Sequence, residues 1–213
     1  MEIPKSAMLT FSYATVRTTG NAWVPHEAAL RQHGLAALDR VGGRSYGLWA
    51  PQFGLPSDTC VVMTYWPEAD EAIVRVEDTL RGVDGVVAVD CHLLAPTVRP
   101  ETADPPKKAG VYVHRWFTVA QGDVDEVAAL SASAWQSFEA TFEAEVIGLF
   151  RRIDDQTDDE TLMLLNWYPS LAAWEASREV PSDPRAWELF RRRRALTKKT
   201  WAITTLIRLD DMP

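Results

Sequence analysis

"TCVVMTYWP" (59–67) and "TLMLLNWYP" (161–169) are close copies of one another. In each, a threonine opens an apolar run that closes on a polar Thr or Asn, followed by two aromatics and a proline. The likeness extends backwards: "YGLWAPQFGLPSDTCVVMTYWP" (46–67) aligns with "IGLFRRIDDQTDDETLMLLNWYP" (147–169) through Gly-Leu-aromatic, a polar acidic hairpin and the closing run, with one inserted residue. Internal repetition constrains architecture before local propensity does, because each copy must solve the same folding problem.

Working outward, each half gives the same order of elements. In the first, "MLTFSYATVRT" (8–18) is β-rich, and "VPHEAALRQHGLAALDRV" (24–41) has helical period with Pro25 in a first-turn position. "RSYGLWA" and "CVVMTYW" then form a hairpin, Pro67 with Glu68, Asp70 and Glu71 opens a second helix, and "GVVAVDCHLLA" (85–95) is a fourth strand. The second half repeats this with a strand at 111–119, a helix at 123–142, a hairpin, a helix from 171 and a strand at 200–209. Its second helix is expected to break at "PSDP" (181–184), where Asp183 caps a new helix led by Pro184. Between the halves, "APTVRPETADPPKKAG" (95–110) carries four prolines and no apolar period. The domains therefore read 1–98, a Pro-rich linker at 99–109, and 110–213. Each half is βαββαβ, the ferredoxin-like unit, whose antiparallel sheet is covered by helices on one face. The fold class is α+β, with the two bare sheet faces packed on each other.

Composition narrows the function. A net charge of −8 and a pI near 5 oppose binding to nucleic acid or an anionic membrane. No apolar run approaches the ~20 residues of a membrane span, and no leader pattern opens the chain, which predicts a cytoplasmic protein. Two cysteines, Cys60 and Cys91, make no disulfide framework and no metal spacing. GxGxxG, P-loop and GxSxG motifs are missing, and "HEAAL" at His26 has Leu30 where a zinc motif needs histidine. No metal and no nucleotide cofactor are expected. The basic run "RRRRALTKK" (191–199) reads as a solvated helix end that complements the helix dipole, with Trp187 and Phe190 on its apolar side, in preference to an anion site given the overall acidity.

With "NWYPSLAAWEASR" (166–178), an aromatic-ended strand running into a helix with Trp and Arg, the sequence resembles the dimeric α+β barrel superfamily, and within it the NIPSNAP-like branch. The resemblance implies two fused repeats forming one barrel within the chain, as a monomer or homodimer. Relatives include cofactor-free monooxygenases of aromatic polyketide pathways, small lyases and cyclases, haem-degrading enzymes and haem peroxidases, among which fold alone does not choose. The implied strand order 4-1-3-2 places strand one between Cys60 and Cys91, about 10 Å apart and beyond disulfide reach. In the small enzymes of the superfamily the pocket lies between a sheet and its own helices.

Differences between the halves point to a site. Along strand one, the face Thr10, Ser12, Ala14 in the first half matches Val113, Arg115, Phe117 in the second, so the first half is expected to hold the open pocket. At about 100° per residue, His26 and His33 fall near Leu30, Ala37 and Val41 on the inner face or rim of their helix. His92, with Asp90 on the same strand face, is the third candidate base if that face meets the helices, and a structural polar contact if it faces the barrel. His114, matching Phe11, is expected on the barrel side. Tyr46, Trp49, Tyr65 and Trp66 are candidate walls and donors for a flat ligand, or core packing. The predicted function is a cofactor-independent enzyme on a hydrophobic, aromatic or polyketide-like small molecule, with His26, His33 or His92 abstracting a proton in a monooxygenase, lyase or cyclase reaction. The alternatives are haem binding through a histidine, and a non-catalytic ligand-binding or assembly protein.

Overall fold

The computed structural model describes residues 9–155, 157–178 and 184–209. Among the described residues the order is β1 (Thr10–Thr18), α1 (24–40), β2 (Arg44–Phe53), β3 (Thr59–Trp66), α2 (Ala72–Arg81), β4 (Val86–Pro96), β5 (Val111–Ala120), α3 (Val124–Thr141), β6 (Glu145–Arg152), β7 (Asp159–Tyr168), α4 (Leu171–Ala176), α5 (Pro184–Leu196) and β8 (Thr197–Ile207). The strands close into one barrel in the order β1-β3-β2-β8-β5-β7-β6-β4. Both halves therefore run 4-1-3-2, and their edges join at β2/β8 and β4/β6. This refines the expectation of two facing sheets, because the sheets also hydrogen-bond edge to edge and leave no free edge. Among the described residues no helix is long and apolar enough to cross a membrane.

The pleat sorts side chains to two sides. Phe11, Tyr13, Trp49, Met63, Tyr112, Trp116, Phe150 and Met163 fill the barrel, while Ala14, Val16, Leu48, Cys60 and Val62 face the helices of the first half. The repeated Gly-Leu-aromatic has a steric cause. The register shifts at Gly47 on β2 and again at Gly148 on β6, and these bulges turn an aromatic back over each glycine. A Cβ on Gly47 would lie 2.1 Å from the Trp49 ring, and one on Gly148 would lie 2.8 Å from Phe150 and 2.7 Å from Pro100 of the linker.

Two helices depart from expectation. α2 begins at Ala72 with Glu71 in left-handed backbone, so Pro67 to Asp70 form turns before the helix. α1 is not uniform: a 3-10 turn at Val24–His26 leads into a π-helical stretch at Leu30–Leu35. α5 starts at Pro184 as expected, while the proposed Asp183 cap lies outside the described residues. The Pro-rich linker is docked: the Leu149 N–H donates to the Arg99 carbonyl, and Arg99 Nη1 donates to Glu139 Oε1 at 2.9 Å. Cys60 and Cys91 are buried and free, on opposite sides of β1, and burial pushes the Cys60 thiol up to about 12.

Candidate functional site

The structure scatters the sequence-predicted residues. His26 sits against Gly85, where a Cβ would come within 2.0 Å of its Nδ1, and its Nε2 lies 3.2 Å from both the Thr19 carbonyl and Thr19 Oγ1. It pins a loop. His33 is exposed, because the π turn carries more than 3.6 residues per turn and brings Leu30, Gly34 and Leu38 inward instead. His92 and Asp90 lie opposite Tyr13 and Thr15 of β1, hence on the barrel-facing side. They make the structural contact, with His92 Nε2 3.7 Å from Asp90 and Nδ1 3.4 Å from Asp154 of the second half. His114 is fully buried in the barrel between Tyr13 and Trp49, with Nε2 2.9 Å from Thr205 Oγ1. Desolvation lowers its pKa to about 3, so it is a neutral imidazole.

The aromatic candidates divide by face. Tyr46 and Trp49 are packed inside the barrel and Tyr65 lies against Phe11 there, whereas Ser12 and Trp66 face the helices. The expected pocket beside Ser12 is filled. Trp66 occupies it, its indole N–H donating to Ser12 Oγ at 3.0 Å, with Trp23 buried in the same cluster. A small strand residue therefore marks the seat of a large neighbour, not an open space.

The matching place in the second half is open. There Tyr168 stands for Trp66, and the register corrects the expected match of the first strands: Ser12 lies opposite Thr64 as Val113 lies opposite Asn166, so Arg115 corresponds to Ala14. A cavity of about 330 Å³ lies between the sheet and α3, α5. Strand alternation supplies one wall, with Arg115 and Phe117 from β5 and Leu164, Asn166 and Tyr168 from β7. Trp135, Phe138, Trp187 and Phe190 close it from the helices. Inside, Asn166 Oδ1 and Trp135 Nε1 are buried with no hydrogen-bond partner. Arg193 stacks on Phe117 and Phe190 at 5.1 and 5.0 Å and donates to Ser131 Oγ at 3.2 Å. Arg178 donates to Tyr168 Oη at 3.4 Å. Desolvation, then Arg115 and Arg178, push the Arg193 guanidinium down to about 10; burial and Arg178 act the same way on Arg115. The basic run is therefore not all solvated helix end: Arg193 points inward, and the rest of the run does not announce it, since Arg192 pairs with Glu126 outside.

A larger groove of about 750 Å³ runs beneath the linker and takes in Tyr46 and Tyr112. Of its charges, Arg99 is paired with Glu139 and Lys108 with Glu145, and Pro100, Pro105 and Pro106 line one side. The smaller cavity, with unmatched polar groups inside aromatic walls, is the better candidate. Haem held by histidine does not fit it, since His26, His33, His92 and His114 all lie elsewhere.

Solved structures share this fold. An anthrone oxidase-like protein superposes with TM-score 0.62 at 13% identity, over 96% of this chain and 93% of the other. A candidate monooxygenase of Lactobacillus acidophilus gives 0.61 at 10%, covering 94% of each chain. A heme-binding protein of Thermus thermophilus gives 0.55 at 11%, over 97% and 95%. At these identities the likeness shows the fold. No family model matches the chain, and no curated protein matches its sequence.

Proposed function

We propose that this chain oxidises a flat, hydrophobic, enolisable small molecule in the second-half cavity without a resident cofactor. The observation that carries this reading is the cavity itself: aromatic walls enclosing a buried amide oxygen and indole N–H that have no partner among the described residues. The substrate enters as its enolate or phenolate, its proton already given up to base in solvent, and Trp135 N–H donates to the oxyanion. Asn166 orients the ring edge, and the apolar walls exclude water. The carbanion then delivers electrons to O2, a C–O bond forms, and loss of water from the peroxide leaves a ketone. For anthrone, the substrate class in the name of one structural neighbour, equimolar O2 gives anthraquinone and water. The same reading takes the chain as two fused ferredoxin-like repeats of the NIPSNAP-like kind, working in the cytoplasm as a monomer or homodimer.

Oxygen uptake with anthrone tests this. Asn166→Leu, and Leu164→Trp to fill the cavity, are expected to lower the rate more than ~10-fold, while His26→Ala, His33→Ala and His92→Ala leave it within twofold. The reverse pattern would return the chemistry to the histidines. For the haem alternative, a Soret shift saturating at one equivalent and lost in Tyr168→Phe would replace the cofactor-free reading with a tyrosine-ligated one.

A further inference from the structure

We infer that the second-half cavity binds its ligand as an oxyanion, taking flat hydrophobic molecules that bear a carboxylate or an ionised phenol, with Arg115, Arg178 and Arg193 as the receptor. This rests on that cavity being the functional site. The three guanidinium groups come from separate places, β5, the turn after α4, and α5, and line one space. Elsewhere the half-buried arginines sit on carboxylates: Arg99 on Glu139, Arg152 on Asp154 and Arg208 on Glu27. Among the described residues no carboxylate pairs with Arg115, Arg178 or Arg193; their neighbours are aromatic rings, a phenol and a serine hydroxyl. Arg115 and Arg193 are partly buried and Arg178 is exposed beside them, and like charges gathered in this way destabilise the empty protein unless something of opposite sign enters. The guanidinium fork matches a planar oxyanion with two parallel hydrogen bonds, and the rings of Phe117, Phe138 and Phe190 accept the flat body attached to it. The protein as a whole is acidic, at −8, so long-range attraction does not draw anions to it, and selectivity falls to this cluster.

The test uses 2-naphthoate and its neutral isostere 2-naphthamide, titrated calorimetrically into the intact protein and into Arg115→Met and Arg193→Met. The expected result is at least ~10-fold tighter binding of naphthoate, falling to parity in either variant. Thermal melting guards against misfolding: ligand-free Arg193→Met is expected to melt higher than wild type, and naphthoate to raise the melting temperature of wild type alone. Where that preference holds, 4-nitro-1-naphthol separates the two oxyanion sources: a lower ionisation midpoint when bound assigns phenolates as well, and an unshifted one assigns carboxylates. Equal binding of the two naphthyl probes, or a preference that survives both substitutions, overturns the oxyanion receptor and leaves the cavity reading standing. Binding of neither probe overturns both.

Discussion

His114 is held neutral by the barrel that surrounds it, and this has a consequence for stability. Its folded pKa of about 3 lies below the ~6.5 of an exposed histidine, so as pH falls below 6.5 the unfolded chain takes up a proton that the folded chain refuses. Stability contributed by the neutral form is present above pH 6.5 and declines by about 1.4 kcal/mol per pH unit below it. His114→Gln keeps a polar partner for Thr205 and removes the titration. Urea midpoints between pH 4 and 7 are expected to show the wild type losing ground to the variant along that slope; parallel curves would mean that the folded protein binds the proton too. The same residue scale explains the misplaced pocket. Side-chain size alone puts the space at Ser12, and matching Ser12 to Arg115 is two residues out of register, since Ser12 lies opposite Thr64 and Val113 opposite Asn166. Trp66 takes the space in the first half through its bond to Ser12 Oγ, while in the second half the open space lies beside Arg115 and Tyr168. Which neighbour fills a gap is a pairwise property across strands, invisible in either residue alone.

At the scale of elements, the repeated hairpin was the most legible feature, because its glycine is required sterically in both copies. Gly47→Ala drives a methyl to 2.1 Å from the Trp49 ring, inside a bulge whose register depends on that ring lying flat over the strand. Overpacking of this kind costs about 3 kcal/mol. The drop in denaturation midpoint measures it, and Gly47→Ala/Trp49→Leu is expected to recover more than half. The strands and their alternation were equally readable outside the bulges, where the register shift at Gly47 puts both Tyr46 and Trp49 inside the barrel. α1 was not, because its phase depends on a π turn at Leu30–Leu35 that no composition signals; within it, extrapolation at 100° per residue misdirected His33. α5 was misread for another reason. Four successive arginines look alike in sequence, and only docking against α3 and β5 decides that Arg193 turns inward, onto Phe117 and Phe190.

For the whole molecule, closure of the barrel rests on two short seams. β4 meets β6 over only Leu94–Arg152, Ala95–Arg151 and Pro96–Phe150, whereas β5 meets β7 along its full length. Side chains reinforce the weaker seam. Asp154 of the second half accepts from the Leu93 N–H at 2.9 Å, from Arg152 Nη2 at 3.0 Å, and faces His92 Nδ1 at 3.4 Å, all from a position 12% exposed. Burial opposes its ionisation, but Arg152, the Leu93 amide and His92 together hold its carboxyl below the usual range. A carboxylate with a depressed folded pKa contributes stability above its unfolded value and loses it as pH falls through the folded one. Asp154→Asn is therefore expected to cost about 2 kcal/mol at pH 7, with the gap to wild type closing below the ordinary carboxylate range near pH 4. Hydrogen exchange locates the effect: amides of Leu93 to Thr97 and of β6 should exchange faster in the variant, while those of β1 and β5 stay protected. Uniform acceleration across all eight strands would mean that the barrel opens as one unit. Since the cavity lies between the second-half sheet and its own helices, away from this seam, naphthoate affinity is expected to be unchanged in Asp154→Asn, separating what closes the barrel from what the barrel holds.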